Sequence, residues 1–316
     1  MTPLIDAQGL AVNFRSPGGF LGLSARRLVI LDDVSVSIHK GETLGLVGES
    51  GSGKTTLART LLGLVPRAHG TIRFDGEPVM SFHRLRRRTA MMFQDPVGSL
   101  SPRLAIGSAI TEPFAIHGVA MRSRRETAEE LLRLVGLPKE FVSRYPHELS
   151  GGQARRAGVA RALALKPDLV IADEPTAGLD VSIQGEILNL MTRLKAELRL
   201  SYIIVTHNLA MIRHVSDRLA IMYLGRIVEE GPTAKVFAAA RHPYTASLIA
   251  SEPIPDPRRK RLSLAITGEV PSVQNRPKGC EFHTRCLFAR ERCRTEAPSL
   301  TSLTADHKVR CHYPIN

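Results

Sequence analysis

The sequence predicts an α/β protein with a mixed, largely parallel sheet, an antiparallel β part, a helical insertion and a short cysteine-bearing tail. Three observations predict it. Short apolar runs such as TLGLV at 43–47 and LVIAD at 169–173 have the length of buried strands, and stretches with apolar residues at helical spacing follow them. Between about residues 95 and 165 only helical patterning persists, and the alternation then resumes. All the cysteines, Cys280, Cys286, Cys293 and Cys311, lie in the last segment.

Each element can be justified in order. Alternating apolar residues from Leu4 to Phe14 read as a strand, and 16–22 as a glycine-rich loop. From Thr43 a buried strand runs into glycines, and KTTLARTLLGLV then shows helical spacing until Pro66. TIRFDGEPV at 71–79 reads as a hairpin turning at Asp75-Gly76, and AMMFQ as a further strand. The helices of the insertion are expected to be separated by Pro113, Gly118, Pro138 and Pro146. Beyond it come the strand DLVIAD, the amphipathic helix IQGEILNLMTRLKAEL, the strand SYIIVTH, and two strands turning at Gly225. This places one domain over 1–250, with a helical subdomain at about 95–165, and an appended segment over 251–316.

Composition excludes several classes. With 316 residues, 43% hydrophobic and 23% charged, the chain can bury a sizeable core and is not a disordered protein. No apolar run approaches the roughly 18 residues of a membrane span, and MTPLIDAQGL lacks the pattern of a signal peptide, so a cytoplasmic location is expected. The net charge of +13 suits an anionic partner. The basic clusters (Arg84 with Arg86 to Arg88; Arg122, Arg124 and Arg125; Arg258, Arg259 and Arg261) lack interleaved aromatics. They therefore read as solvated faces, and no nucleic-acid partner is expected.

Gly48, Glu49, Ser50, Gly51, Ser52, Gly53, Lys54 and Thr55 complete G-x-x-x-x-G-K-[ST] between a predicted strand and a predicted helix, with Thr56 following. In that context the backbone amides cradle phosphate oxygens, Lys54 reaches the β- and γ-phosphates, and the Thr55 hydroxyl can ligate Mg²⁺. Asp173 and Glu174 end a buried strand, where the first carboxylate would hold Mg²⁺ and the second would polarise the attacking water. Leu149 to Gln153 reads LSGGQ, with Ser150 placed to cap the next helix and Gly151 and Gly152 exposing its first amides to a second anion.

These motifs, in this order, resemble the ATP-binding cassette (ABC) family of P-loop NTPases over nearly the whole chain. The resemblance implies an ABC ATPase that binds ATP with Mg²⁺ and hydrolyses it as a dimer, Ser150, Gly151, Gly152 and Gln153 of one subunit closing over the nucleotide of the other. It implies that Gln94 contacts Mg²⁺ and relays nucleotide state, that Asp180 in AGLD pairs across the dimer, and that His207 contacts the γ-phosphate. Phe14 aligns with the adenine-stacking aromatic, with Phe20 as the other candidate. One departure is ARRAGVARAL after LSGGQ, where QRQRVAIARAL is more usual.

FQDPVGSLSPR at 93–103, HPYTASL at 242–248, GEVPS at 268–272 and GCEFHTRCLFARERC resemble the ATPase subunits of bacterial oligopeptide, dipeptide and nickel importers. This branch implies two integral membrane permease subunits docked on the helical insertion, a second and non-identical ATPase subunit, an extracytoplasmic solute-binding protein, and a peripheral place on the cytoplasmic face of the inner membrane. The alternatives are a soluble cassette acting on nucleic acid or ribosomes, and an accessory cassette of a phosphonate-cleaving complex. The cysteine spacing C-x5-C-x6-C-x17-C lacks the paired C-x2-C of a zinc ribbon and a reducing compartment disfavours disulfides, so the four thiolates suit a tetrahedral Zn²⁺ or an iron–sulfur cluster, with four unligated cysteines as the alternative. Arg285, Arg290, Arg292 and Arg294 could offset the thiolate charge. Resemblance to importer ATPases with a four-iron cluster in this extension favours 4Fe-4S, with zinc second.

Overall fold

The computed structural model describes residues 2–15, 27–95, 98–252 and 268–315. In chain order its elements are β1 (Ile5–Arg15), β2 (Arg27–Ile38), β3 (Thr43–Val47), α1 (Lys54–Leu61), β4 (His69–Phe74), β5 (Glu77–Pro78), α2 (Phe82–Arg88), β6 (Thr89–Met92), α3 (Ile106–Ile116), α4 (Arg124–Leu134) and α5 (Gly151–Leu163). They continue with β7 (Leu169–Asp173), α6 (Val181–Leu198), β8 (Ser201–Thr206), α7 (Leu209–Val215), β9 (Arg218–Tyr223), β10 (Arg226–Pro232), α8 (Thr233–Ala238), α9 (Pro243–Ala250), α10 (Glu291–Thr295), β11 (Thr301–Thr304) and β12 (His307–Val309). Two compact units share the chain, the first comprising residues 1–38, 43–79 and 206–316, the second 39–42 and 80–205.

In the first unit, β2, β1, β4 and β5 form an antiparallel sheet in that order. The expected hairpin is present between β4 and β5, and both turn residues have positive φ, Asp75 at 54° and Gly76 at 86°, the signature of a twist-matched two-residue turn. A second sheet pairs β3 parallel to β9, and β9, β10, β12 and β11 continue it antiparallel. Every residue of β3 is buried, as its unbroken apolar run predicts. The last two strands come from the cysteine-bearing extension, which is thereby built into this sheet. Glu229 on β10, fully buried, secures the junction. Its carboxylate accepts the N–H groups of Arg241 and His242, each at 2.8 Å, and meets His307 Nε2 on β12 at 2.8 Å.

Helix α1 stops before the expected Pro66. Gly63, at φ 65°, reverses the chain in the left-handed region, and the Leu64 N–H reaches back to the Arg59 carbonyl at 2.8 Å, closing the last turn.

In the second unit, β6, β7 and β8 are parallel neighbours, with β7 and β8 buried along their whole length. The expected helices of the insertion are α3, α4 and α5. Pro113 does not separate two of them. It lies inside α3, where it forgoes the N–H bond to the Ala109 carbonyl without ending the helix, and Gly118 at φ 60° follows the helix end instead. Pro146 opens a short 3-10 turn just before α5. The residues of the basic clusters at Arg84, Arg86 to Arg88, Arg122, Arg124 and Arg125 are exposed, as solvated faces should be. The glycine-rich loop at 16–22, Phe20, residues 96 and 97 of the FQDPVGSLSPR segment, and Arg258, Arg259 and Arg261 lie outside the described residues. Among the described residues no helix is long and apolar enough to cross a membrane.

Candidate nucleotide site and cysteine pocket

In the first unit the buried strand β3 delivers Gly48 to Gly53 to the N-terminus of α1. Two of the loop's glycines, Gly48 and Gly53, are sterically required. A Cβ at Gly48 would run into the Met222 carbonyl oxygen, and Gly53, at φ 99°, is the N-cap of α1 and would place a Cβ 2.9 Å from a Leu31 methyl. No side chain caps α1, so the helix presents its first amides at the loop. The loop is closed by the Ser52 N–H donating to the Glu49 carbonyl at 3.2 Å and the Gly225 N–H donating to the Ser52 carbonyl at 2.8 Å.

Lys54 is 7% exposed, and its ammonium donates to the carbonyls of Gly48 (2.7 Å) and Glu49 (2.8 Å) and lies 3.4 Å from the Ser52 hydroxyl. Its charge is thus held over the loop, ready to exchange carbonyl dipoles for phosphate oxygens. Thr55 and Thr56 follow in the first turn of α1 and are half-buried. Phe14, near the end of β1, is 43% exposed, so its ring is available for stacking. His207 is exposed just after β8, ahead of Asn208, whose side chain caps α7.

Two contacts at Glu49 could not be read from the sequence. Its N–H donates to the Tyr244 hydroxyl on α9 at 2.9 Å, and its carboxylate accepts both arms of Arg285, at 2.7 and 3.0 Å. Residues 49 and 285 lie too far apart in the chain for any local signal to pair them.

In the second unit, Asp173 ends β7 and is 3% exposed, while Glu174 adopts a left-handed backbone at φ 48°. A non-glycine residue is strained there, and the Glu174 N–H, donating to the Val205 carbonyl at 2.9 Å, pins it. Ser150 and Gln153 form a reciprocal capping box at the start of α5, at 3.3 and 3.0 Å. α6 packs close to Gly152, where a Cβ would sit 3.0 Å from an Ile183 methyl, while a Cβ on Gly151 would make only an ordinary 3.4 Å contact with Leu179. Asp180 caps α6 by accepting the Ile183 N–H at 3.0 Å, and that bond, with the Ser182 hydroxyl, holds its carboxyl below the ordinary aspartate range. Gln94 is exposed beyond β6.

Arg155, at a departure from the usual family pattern, ties these segments together. It is 2% exposed and donates to the carbonyls of Gln94 and Ala177, each at 2.9 Å. Helix α5 therefore holds both the loop at Gln94 and the turn before Asp180.

All four cysteines are free thiols, and they line one pocket of the extension together with His242. Burial pushes the Cys280 thiol up to about 12 and that of Cys311 up to about 11, with neighbouring cysteines adding to both shifts. Among the described residues no group of three or more His, Cys, Asp or Glu side chains is placed to hold a metal ion. The donor set thus suits a thiolate-bound metal centre, while its placement does not close around a single ion. The arginines of this segment also have other partners. Arg285 pairs with Glu49, Arg292 with Glu296, and Arg290 lies over the Tyr313 ring at 4.3 Å.

Comparison with known proteins places this geometry. Residues 31–177 match the family model described as ABC transporter, and residues 228–293 the model described as oligopeptide/dipeptide transporter, C-terminal region. A "Probable peptide ABC transporter ATP-binding protein" of Sinorhizobium fredii is 45% identical over 98% of this chain and 89% of its own length. The oligopeptide transport ATP-binding protein AppF of Bacillus subtilis is 45% identical over 89% of this chain and 88% of its own. Among solved structures, the dimeric ATP-binding cassette MJ0796 bound to ADP and phosphate superposes with a TM-score of 0.64 at 26% identity, over 72% of this chain and 98% of that one. The chain belongs to the ABC transporter family, as an ATP-binding subunit.

Proposed function

We propose that this protein hydrolyses ATP to power an importer of oligopeptides or dipeptides. The observation that carries the reading is the complete phosphate loop at the open N-terminus of α1, with Lys54 drawn over it, in a chain that also matches the peptide-transporter C-terminal region. In the first unit Lys54 and the loop amides would bind the phosphates, Thr55 would ligate Mg²⁺ and His207 would contact the γ-phosphate; in the second, Gln94 and Asp173 would be Mg²⁺ ligands. Glu174 accepts a proton from the attacking water, a role typically worth about 10²- to 10⁴-fold in rate. Phe14 stacks on adenine. Ser150, Gly151, Gly152 and Gln153 serve the nucleotide of the partner ATPase, and Asp180 faces that partner.

The partners are two integral permease subunits docked on the helical insertion, a second and non-identical ATPase, and an extracytoplasmic solute-binding protein. The protein acts peripherally at the cytoplasmic face of the membrane. Cys280, Cys286, Cys293 and Cys311, which line one pocket, are the residues that would hold a four-iron cluster, and the cluster would staple the extension.

Reconstitution in proteoliposomes with the permease and binding protein tests the transport reading. Peptide should stimulate ATP hydrolysis and accumulate inside, and an ATPase indifferent to every peptide offered would overturn the cargo. Anaerobically purified protein should be brown, with iron and sulfide in similar amounts. One equivalent of zinc in colourless protein would replace the cluster by zinc, and metal-free protein with an ordered extension would remove both.

A further inference from the structure

The cysteine-bearing extension reaches the phosphate loop directly. Arg285, one residue before Cys286, forms a two-armed ion pair with Glu49, one residue after Gly48. The Arg285 side chain is 6% exposed and that of Glu49 26%, so water screens the pair only in part. The guanidinium is seated from behind, its Nη1 3.5 Å from the Tyr223 hydroxyl. Tyr223, Tyr244 and Phe282 form an aromatic wall with ring centroids 4.8 to 5.3 Å apart, and Tyr244 takes the Glu49 N–H. The Glu49 carbonyl in turn holds Lys54. Each polar group of Glu49 therefore has a fixed partner, and two of those partners come from the segment after residue 240.

A carboxylate inside a loop that binds a polyanion is a liability, because it repels the phosphates by Coulomb's law in a partly dehydrated site. A bidentate guanidinium removes that repulsion and fixes where the carboxylate points. We propose that Arg285 is a positioning residue for nucleotide binding: it neutralises Glu49 and holds it aside, so that the phosphate loop binds ATP more tightly when the extension is folded against it. This rests on reading residues 48–55 as the phosphate loop. The extension then has a part in the ATPase cycle beyond its own architecture, since anything that unfolds it releases an acidic side chain into the binding loop.

The test uses the full chain, AMP-PNP with Mg²⁺ as the probe, and steady-state ATP hydrolysis. Arg285→Ala should weaken AMP-PNP binding by about tenfold and raise the KM for ATP, with kcat changed much less. Adding Glu49→Gln should restore affinity to within about twofold, because the unpaired charge is then gone. Arg285→Lys should fall between, keeping the charge but losing the fork. Unchanged binding in Arg285→Ala would overturn the proposal. So would a loss that Glu49→Gln does not repair, since Arg285 would then serve only to fold the extension. Lys54→Ala binding AMP-PNP as the parent does would instead overturn the phosphate-loop reading, whatever Arg285 does.

Discussion

Glycines and buried arginines carry the site at the scale of single residues. Gly53 is both the N-cap of α1 and a residue at φ 99° facing Leu31, so Gly53→Ala should cost about 1–3 kcal/mol in urea unfolding and impair nucleotide binding as well. The motif made this glycine legible from the sequence. Arg155 was not legible, because an arginine on a helix that follows LSGGQ looks like a solvated residue until its fork is seen between the Gln94 and Ala177 carbonyls. Arg155→Met keeps much of the bulk and removes both donors. It should destabilise the protein by about 2 kcal/mol and slow hydrolysis, measured by denaturation and by turnover under saturating ATP.

The extension behaves as part of the sheet at the scale of elements. β12 pairs with β10, and the Glu229 carboxylate joins β10, β12 and the start of α9 through three hydrogen bonds. Glu229→Ala would leave two buried N–H groups and His307 Nε2 without an acceptor, so about 3 kcal/mol of stability should be lost, with β11 and β12 the first segments to become protease-sensitive. Neither strand could be expected from sequence. TSLT is short and exposed along its length, and its partner HKV offers three residues, too few for periodicity to register. β2 was missed for a different reason: Asp32 and Asp33 interrupt its apolar pattern, with Asp33 at φ 52°, and one of them serves as an ion-pair partner for Arg226. By contrast, β3, β7 and β8 were legible because they are buried along their whole length and therefore apolar throughout.

Over the whole molecule, the motifs spaced along the sequence resolve into two sets, each on its own unit. The phosphate loop, Phe14, His207 and the extension belong to the first unit, while Gln94, the signature helix, Asp173, Glu174 and Asp180 belong to the second. Local chemistry was legible because each motif couples a glycine or a cap to a strand end. Long-range pairing was not, and the contact of Arg285 with Glu49 is the plainest case, since an ion pair between distant residues leaves no trace in composition or period. The other proposed roles depend on hydrolysis of ATP by a nucleotide-bound dimer with Glu174 as the base. The most direct measurement is turnover and oligomeric state of Glu174→Gln with ATP and Mg²⁺. Turnover should fall by at least about a hundredfold, with ATP retained in a stable dimer. Turnover near that of the parent protein, or loss of ATP binding, would contradict it.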